Sequence, residues 1–146
     1  MSLNAWANNG WLKSHKTSPQ EIRQLFAMVG RDIEDAQKEN VSADWRFGIA
    51  YNAALKLCTI LLYAQGYRPE KNLAHYRTLM SLPLILGSER EDDATYLDVC
   101  RTKRNIVEYD YINGVTVEDA EELIGFAQSL CEDVQDYLKM KFPELL

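Results

Sequence analysis

The chain has 146 residues, 47% of them hydrophobic and 26% charged, with a formal net charge of −6. That length fits one domain whose core needs no disulfide or metal staple. The negative balance excludes a built-in long-range attraction to nucleic-acid phosphates, so any such contact must use a local basic cluster.

Residues 1–17 read as an irregular N-terminal arm, with Trp6 and Trp11 as anchors onto a single helical-bundle domain spanning 18–146. Ser18-Pro19-Gln20-Glu21 has the form of a helix start: Ser18 caps, Pro19 suits the first helical position and Glu21 completes a capping box. The first long helix then carries Ile22, Leu25, Phe26, Val29, Ile33 and Ala36 at helical spacing and ends near Asn40. Its opposite side holds Arg23, Arg31, Asp32, Asp35 and Lys38.

The second helix starts near Ser42 and ends at Gly66, a natural C-cap. It is apolar nearly all round, which predicts a central helix covered on most sides. Ala50, Ala53 and Ala54 allow close helix approach. Asn52, Lys56 and Thr59 form one narrow polar stripe, read either as a solvated edge or as part of a cleft or dimer contact. They also interrupt the densest apolar run, Ile49 to Ala64, which falls short of a membrane span. Trp45 and Tyr51 read as core residues.

A turn around Pro69 leads to a shorter helix, about 72–82, which Pro83 makes kink or restart. The acidic link Ser88 to Asp93 precedes a fourth segment, Ala94 to about Tyr109. The stretch 107–118 is open to two readings. One is a hairpin about Asn113-Gly114; the preferred one is a helix end, a turn and a new helix capped by Thr116 with Asp119 three residues on. The last helix, about 117–141, repeats Ala120, Leu123, Ile124, Ala127, Leu130, Cys131, Val134, Tyr137 and Leu138. The sum is an all-α, up-and-down bundle of four long helices plus a short kinked one.

The three cysteines, Cys58, Cys100 and Cys131, are far apart, with no Cys-x-x-Cys pair. They read as small core residues in a reducing compartment, so a cytoplasmic protein without a membrane segment is expected. No Glu-x-x-His pair, Walker glycine loop or Gly-x-Ser-x-Gly elbow is present, and neither metal nor cofactor is expected.

The fourth segment, Ala94 to about Tyr109, breaks the pattern. Leu97, Cys100, Val107 and Tyr111 fall within roughly 80° of one another, and Arg104 falls among them. A cation centred on an apolar face is costly unless a carboxylate or a ligand meets it. Arg104 therefore reads either as a buried ion-pair residue, with Glu108 or a carboxylate from a neighbouring helix, or as an anion-binding notch. Arg101 and Lys103 surround it, and Asn105 and Tyr109 lie one turn apart on an adjoining face. The candidate ligand-binding set is Asn52, Lys56, Arg101, Arg104, Asn105, Glu108 and Tyr109.

The stretch Cys100-Arg101-Thr102-Lys103-Arg104-Asn105-Ile106-Val107-Glu108-Tyr109-Asp110 resembles the signature helix of the HEPN superfamily of small helical-bundle proteins. The family motif is Arg-x4-6-His, often with a polar residue straight after the arginine, as in Arg104-Asn105. Trp45 to Lys56 resembles the family's central helix, and Gly66-Tyr67-Arg68-Pro69 resembles the link that follows it. The resemblance covers about residues 18–140. It implies a homodimer whose signature helices face each other across a cleft. It further implies a metal-independent ribonuclease, a toxin paired with a nucleotidyltransferase, or a non-catalytic RNA- or nucleotide-binding module.

Tyr109 stands where the family has its histidine. Cleavage of RNA through its 2′-hydroxyl needs a group that exchanges protons near neutrality. Histidine titrates at about 6.5 and tyrosine at about 10. The reading is therefore a binding or regulatory protein without family-type nuclease activity. The alternatives are a divergent ribonuclease using Arg104, Asn105 and Tyr109, and an interaction module paired with a nucleotidyltransferase. His15 and His75 lie outside the signature helix; His75 can reach the cleft from the segment before Pro83.

Overall fold

The segment that is apolar on nearly every side becomes the hub of the molecule. The computed structural model describes residues 1–109 and 114–146, with 106–109 as helix backbone alone. In chain order the elements are α1 (Leu3–Asn8), β1 (Leu12–Ser14), α2 (Pro19–Ala36), α3 (Ala43–Ala64), β2 (Tyr67–Pro69), α4 (Ala74–Met80), α5 (Leu82–Leu86), α6 (Glu91–Tyr109) and α7 (Val117–Lys141). Short 3-10 turns at Ser88–Arg90 and Pro143–Leu145 complete the chain. The four long helices α2, α3, α6 and α7 form an all-α up-and-down bundle, with α4 and α5 as the kinked short pair.

Helix α3 packs against α2, α7, α6 and α4. Ala50, Tyr51, Ala53, Ala54, Leu57, Ile60 and Leu61 are fully buried along it. A helix covered this way has no single polar face, because its surroundings are apolar on most sides. On length and composition alone α3 would also suit a membrane span, yet 56% of that apolar window is buried inside the bundle. Helix α7 contributes Leu123, Ala127, Leu130, Val134 and Leu138 to the same core. The small side chains at 50, 53 and 54 let neighbouring backbones approach closely.

The helix ends follow from local chemistry. Thr116 accepts from the Asp119 amide at 3.1 Å, and the Asp119 carboxylate accepts from the Thr116 amide at 3.0 Å. This is the reciprocal capping box at the start of α7. Ser18 likewise accepts from the Glu21 amide at 3.1 Å. The Glu21 carboxylate, however, accepts from Thr17 Oγ1 at 2.7 Å and meets His15 Nε2 at 2.8 Å. The second half of the expected box is thus replaced by a latch onto the preceding chain. Gly66 follows α3 at φ 90°, a left-handed conformation that glycine adopts without strain.

Several expectations are corrected. Residues 1–17 are not an irregular arm. Leu3–Asn8 is helical, and Leu12–Ser14 pairs antiparallel with Tyr67–Pro69, Leu12 opposite Pro69. The pairing has a physical reason: Trp6, Leu12 and Leu62 bury together, with Trp11 and Tyr67 against them, so an apolar patch on the bundle orders the segment. Asp32, placed by periodicity on the outer face of α2, is buried and paired with Lys56 Nζ at 2.5 Å. A charge tolerates burial when an opposite charge meets it. Arg46 is buried too, and its Nε donates to the Ala36 carbonyl at 2.7 Å. There a cation closes the carboxyl end of α2. Trp45, expected in the core, is 68% exposed.

Of the stretch 107–118, the α6 backbone runs to Tyr109 and α7 begins after its Thr116 cap. Residues 110–113, with Tyr111 and Asn113, lie outside the described residues, as does the choice between turn and hairpin there.

Removing the Thr116 hydroxyl leaves the Asp119 amide at the start of α7 without its partner. We expect Thr116→Ala to lower stability by about 1 kcal/mol, read as a lower urea midpoint at an unchanged slope. An unchanged midpoint would mean that solvent caps α7 equally well.

Candidate anion-binding site at Arg104

The geometry around Arg104 begins with an absent side chain. Gly48 lies on α3 at a half-exposed position, and a Cβ built there would sit 3.8 Å from Arg104 Nε. The missing side chain leaves a shallow gap, and the arginine from α6 lies across it. One turn further along α3, Tyr51 is fully buried, and Arg104 Cζ stands 5.5 Å from the centre of its ring. That is cation–π range, and a ring face compensates part of the desolvation of a half-buried guanidinium. Arg104 has further interaction in the structure beyond these contacts.

Tyr51 also carries chemistry of its own. Its hydroxyl is buried and has no hydrogen-bond partner among the described residues. Burial pushes its pKa up to about 12, against the pull of Arg101 and Arg104. It therefore remains a protonated O–H near neutral pH, able to donate. A buried hydroxyl without a partner costs about 1–3 kcal/mol, so the position favours any acceptor that reaches it.

Arg101 lies one turn before Arg104. Its Nε donates to Asp98 at 2.9 Å, and its Cζ stands 5.8 Å from the Tyr76 ring on α4. Its side chain is 28% exposed. His75, the neighbour of Tyr76 in the first turn of α4, is exposed at the same junction. Partial burial, then Arg104 and Arg101, push its pKa below the ordinary histidine value. The junction of α3, α4 and α6 thus gathers two guanidiniums, an imidazole and a buried hydroxyl donor in an otherwise acidic molecule.

The other sequence candidates distribute differently. Lys56 is tied to Asp32 and faces α2, away from this junction. Thr59 donates to the Leu55 carbonyl at 2.9 Å, which leaves the polar stripe a structural one at those two positions. Asn52 is half-buried on α3 between Gly48 and Lys56, and Asn105 is half-buried beside Arg104. Lys103 pairs with Asp119 Oδ2 at 2.7 Å and so belongs to the α7 cap rather than to the arginine pair. The side chains of Glu108 and Tyr109 lie outside the described residues, and with them the expected Arg104–Glu108 pair and any role of Tyr109.

Two members of the cluster escape a reading of the sequence. Tyr51 reads as core, which it is, but its hydroxyl lies in the field of the arginines. The available signal is Gly48 three residues earlier, a glycine inside a helix that has no turn to make. His75 has no local signal, since its place depends on how α4 docks.

The remaining reactive groups offer less. Burial pushes the Cys58 thiol up to about 12 and Cys100 up to about 11, and Cys131 is also raised by burial. Thiols held this high are poor nucleophiles at neutral pH. No group of three metal-ligating side chains occurs among the described residues. A separate shallow concavity of about 380 Å³ opens on the α7 side of α6, lined by Asp93, Tyr96, Glu122 and Phe126.

Compared with protein-family models, curated proteins and solved structures, the chain finds no match.

The Gly48 gap makes a size series informative. Gly48→Ala places its Cβ at ordinary van der Waals distance from Arg104 and removes a helix-interior glycine, so stability should rise by up to about 1 kcal/mol. Gly48→Phe fills the space of the guanidinium and should lower stability instead. Thermal melts of both variants check this. A Gly48→Phe protein that melts no lower than wild type would show that Arg104 does not need that space.

Proposed function

We propose that this protein is a HEPN-like binding or regulatory module that holds a phosphate-bearing ligand, RNA or a nucleotide, in the notch formed by Arg101 and Arg104 over Tyr51. The observation that carries the reading is the buried Tyr51 hydroxyl, which has no hydrogen-bond partner among the described residues, on the ring that faces the Arg104 guanidinium. A phosphate oxygen supplies what that hydroxyl lacks, an acceptor, and also matches guanidinium charge and hydrogen-bond geometry. Trp45 favours a nucleotide over a simple acidic group. It is 68% exposed and precedes Gly48 by three residues on α3, so it lies on the same side of the helix as the gap. Exposed aromatic rings beside phosphate contacts are stacking platforms for bases.

The binding reading is preferred to cleavage because the signature helix carries Tyr109 at the histidine position. Homodimerisation, and pairing with a nucleotidyltransferase, follow from the resemblance and belong to the proposal on that ground. The divergent ribonuclease remains the second reading, since a histidine does stand near the arginines.

A fluorophore-labelled oligouridylate tests both. Wild type should bind it with anisotropy gain and Trp quenching. Arg104→Ala should weaken binding by at least about tenfold, the loss of one charge-assisted contact, with the helical circular dichroism intact. Equal affinity in wild type and variant would sink the reading. If Arg104→Ala only lowers stability, the arginine is structural and the interaction-module reading takes its place. RNA recovered uncut in chelator is the expected product; cleavage lost in Arg104→Ala would hand the site to the ribonuclease.

A further inference from the structure

The N-terminal segment is fastened to the bundle at a place of its own. Trp6 and Leu12 bury with Leu62 in a cluster separate from the main core, with Leu84 and Ile85 of α5 packed against it. Its largest anchor is imperfectly held. Trp6 is only 8% exposed, yet its indole N–H has no hydrogen-bond partner among the described residues. A buried donor without an acceptor opposes the seating of the segment, and water relieves it when the segment lifts. We infer that residues 1–15 form a strap that opens as one unit while the long helices stay folded, and that the seated strap holds α4, and with it the Tyr76–Arg101 contact, in place.

The other fastenings are short. Three residues of β1 pair with β2, and the Glu70 amide donates to the Trp11 carbonyl at 2.9 Å. Tyr67 Oη donates to Asn4 Oδ1 at 2.6 Å. His15 closes the seam: its amide donates to the Gly66 carbonyl at 2.8 Å, its Nε2 meets Glu21 Oε1 at 2.8 Å, and its ring centre lies 4.0 Å from that of Tyr63. A two-stranded sheet of this length is marginal alone. Its bonds therefore hold only while the aromatic cluster is seated, and they are lost with it.

Trp11 carries the effect to α4. Arg77 Cζ stands 4.0 Å from the centre of the Trp11 ring, and the neighbouring Tyr76 ring stands 5.8 Å from Arg101 Cζ. Helix α4 is seven residues long and is entered through Leu73 at φ 56°, a left-handed conformation that leucine adopts only under constraint. So short a helix takes its position from its neighbours. Lifting the strap removes the ring from Arg77 and the partner strand from β2, which leads into α4. The consequence for ligand affinity rests on reading the arginine junction as an anion site; the opening of the strap does not.

Native-state hydrogen exchange of the full chain reads the strap at the His15 and Glu70 amides and α4 at the Arg77 and Ser81 amides. Leu12→Ala should speed exchange at His15 and Glu70 together, by at least about tenfold, and leave the central amides of α3 and α7 unchanged. Trp11→Ala should also speed Arg77 and Ser81. Protection lost equally in α3 and α7 would make the segment part of the bundle's own cooperative unit and overturn the strap. Unaltered Arg77 and Ser81 exchange in Trp11→Ala would overturn the hold on α4. Sulfate and oligouridylate should bind Trp11→Ala about three- to tenfold more weakly than wild type. Equal affinity would overturn the coupling to the junction. Failure of wild type to bind either probe would defeat the anion reading, while the exchange rates still decide the strap.

Discussion

The structure depends on how α3 is covered. A helix with apolar residues on nearly all sides must find partners on most of them, and α2, α7, α6 and α4 supply these. Where the cover includes a glycine and an aromatic ring, at Gly48 and Tyr51, a neighbouring helix can lay a long cationic side chain across α3. The arginine tolerates its half-buried place because its aliphatic stem packs while the guanidinium meets a ring face. The same arrangement closes the Tyr51 hydroxyl away from water without giving it a partner among the described residues. The cost of an unsatisfied donor and the positive field of the arginines therefore occupy one point.

Charge elsewhere in the molecule is met by ion pairs and a backbone carbonyl. Asp32 meets Lys56, Arg90 Nη2 meets Asp133 at 2.7 Å, and Lys103 meets Asp119. Arg46, the most buried arginine among the described residues, is satisfied by a backbone carbonyl. These pairs tie α2 to α3, α6 to α7 and the Ser88–Arg90 turn to α7, and their energetic worth is modest where they are part-exposed. They also sort the basic residues. Lys56 and Lys103 are committed to structure, while Arg101 and Arg104 share a junction with an imidazole. In a chain of net charge −6, such a local accumulation is what an anion would need to approach at all.

Sequence reasoning reaches the bundle because helical information is local. The α7 pattern and its Thr116–Asp119 cap can be read from neighbours in the chain, and the structure has them at Val117–Lys141. The central character of α3 can be read for the same reason, from polarity alone. The misreadings share a cause as well. Periodicity at Asp32 reports which residues share a face but not which face a partner helix covers. The strand at Leu12–Ser14 forms only because β2 lies in register beside it, and three-residue segments carry no signal of such distant pairing. Residue type alone assigns Trp45 to the core, whereas the first turn of α3 leaves that ring exposed.

The candidate site shows the same division. Arg104 is legible because a cation interrupts an apolar stripe within one helix. Tyr51 and His75 are not, because their relation to Arg104 exists only after α3, α4 and α6 meet. That difference bears on how Tyr109 should be weighed. A motif confined to one helix loses its proton-exchanging group when the histidine is replaced. Groups on other helices are invisible to such a motif, and one of them, an imidazole on α4, shares the electrostatic field of both arginines. Burial and the two arginines together lower the proton affinity of that imidazole, an effect that no spacing within α6 announces.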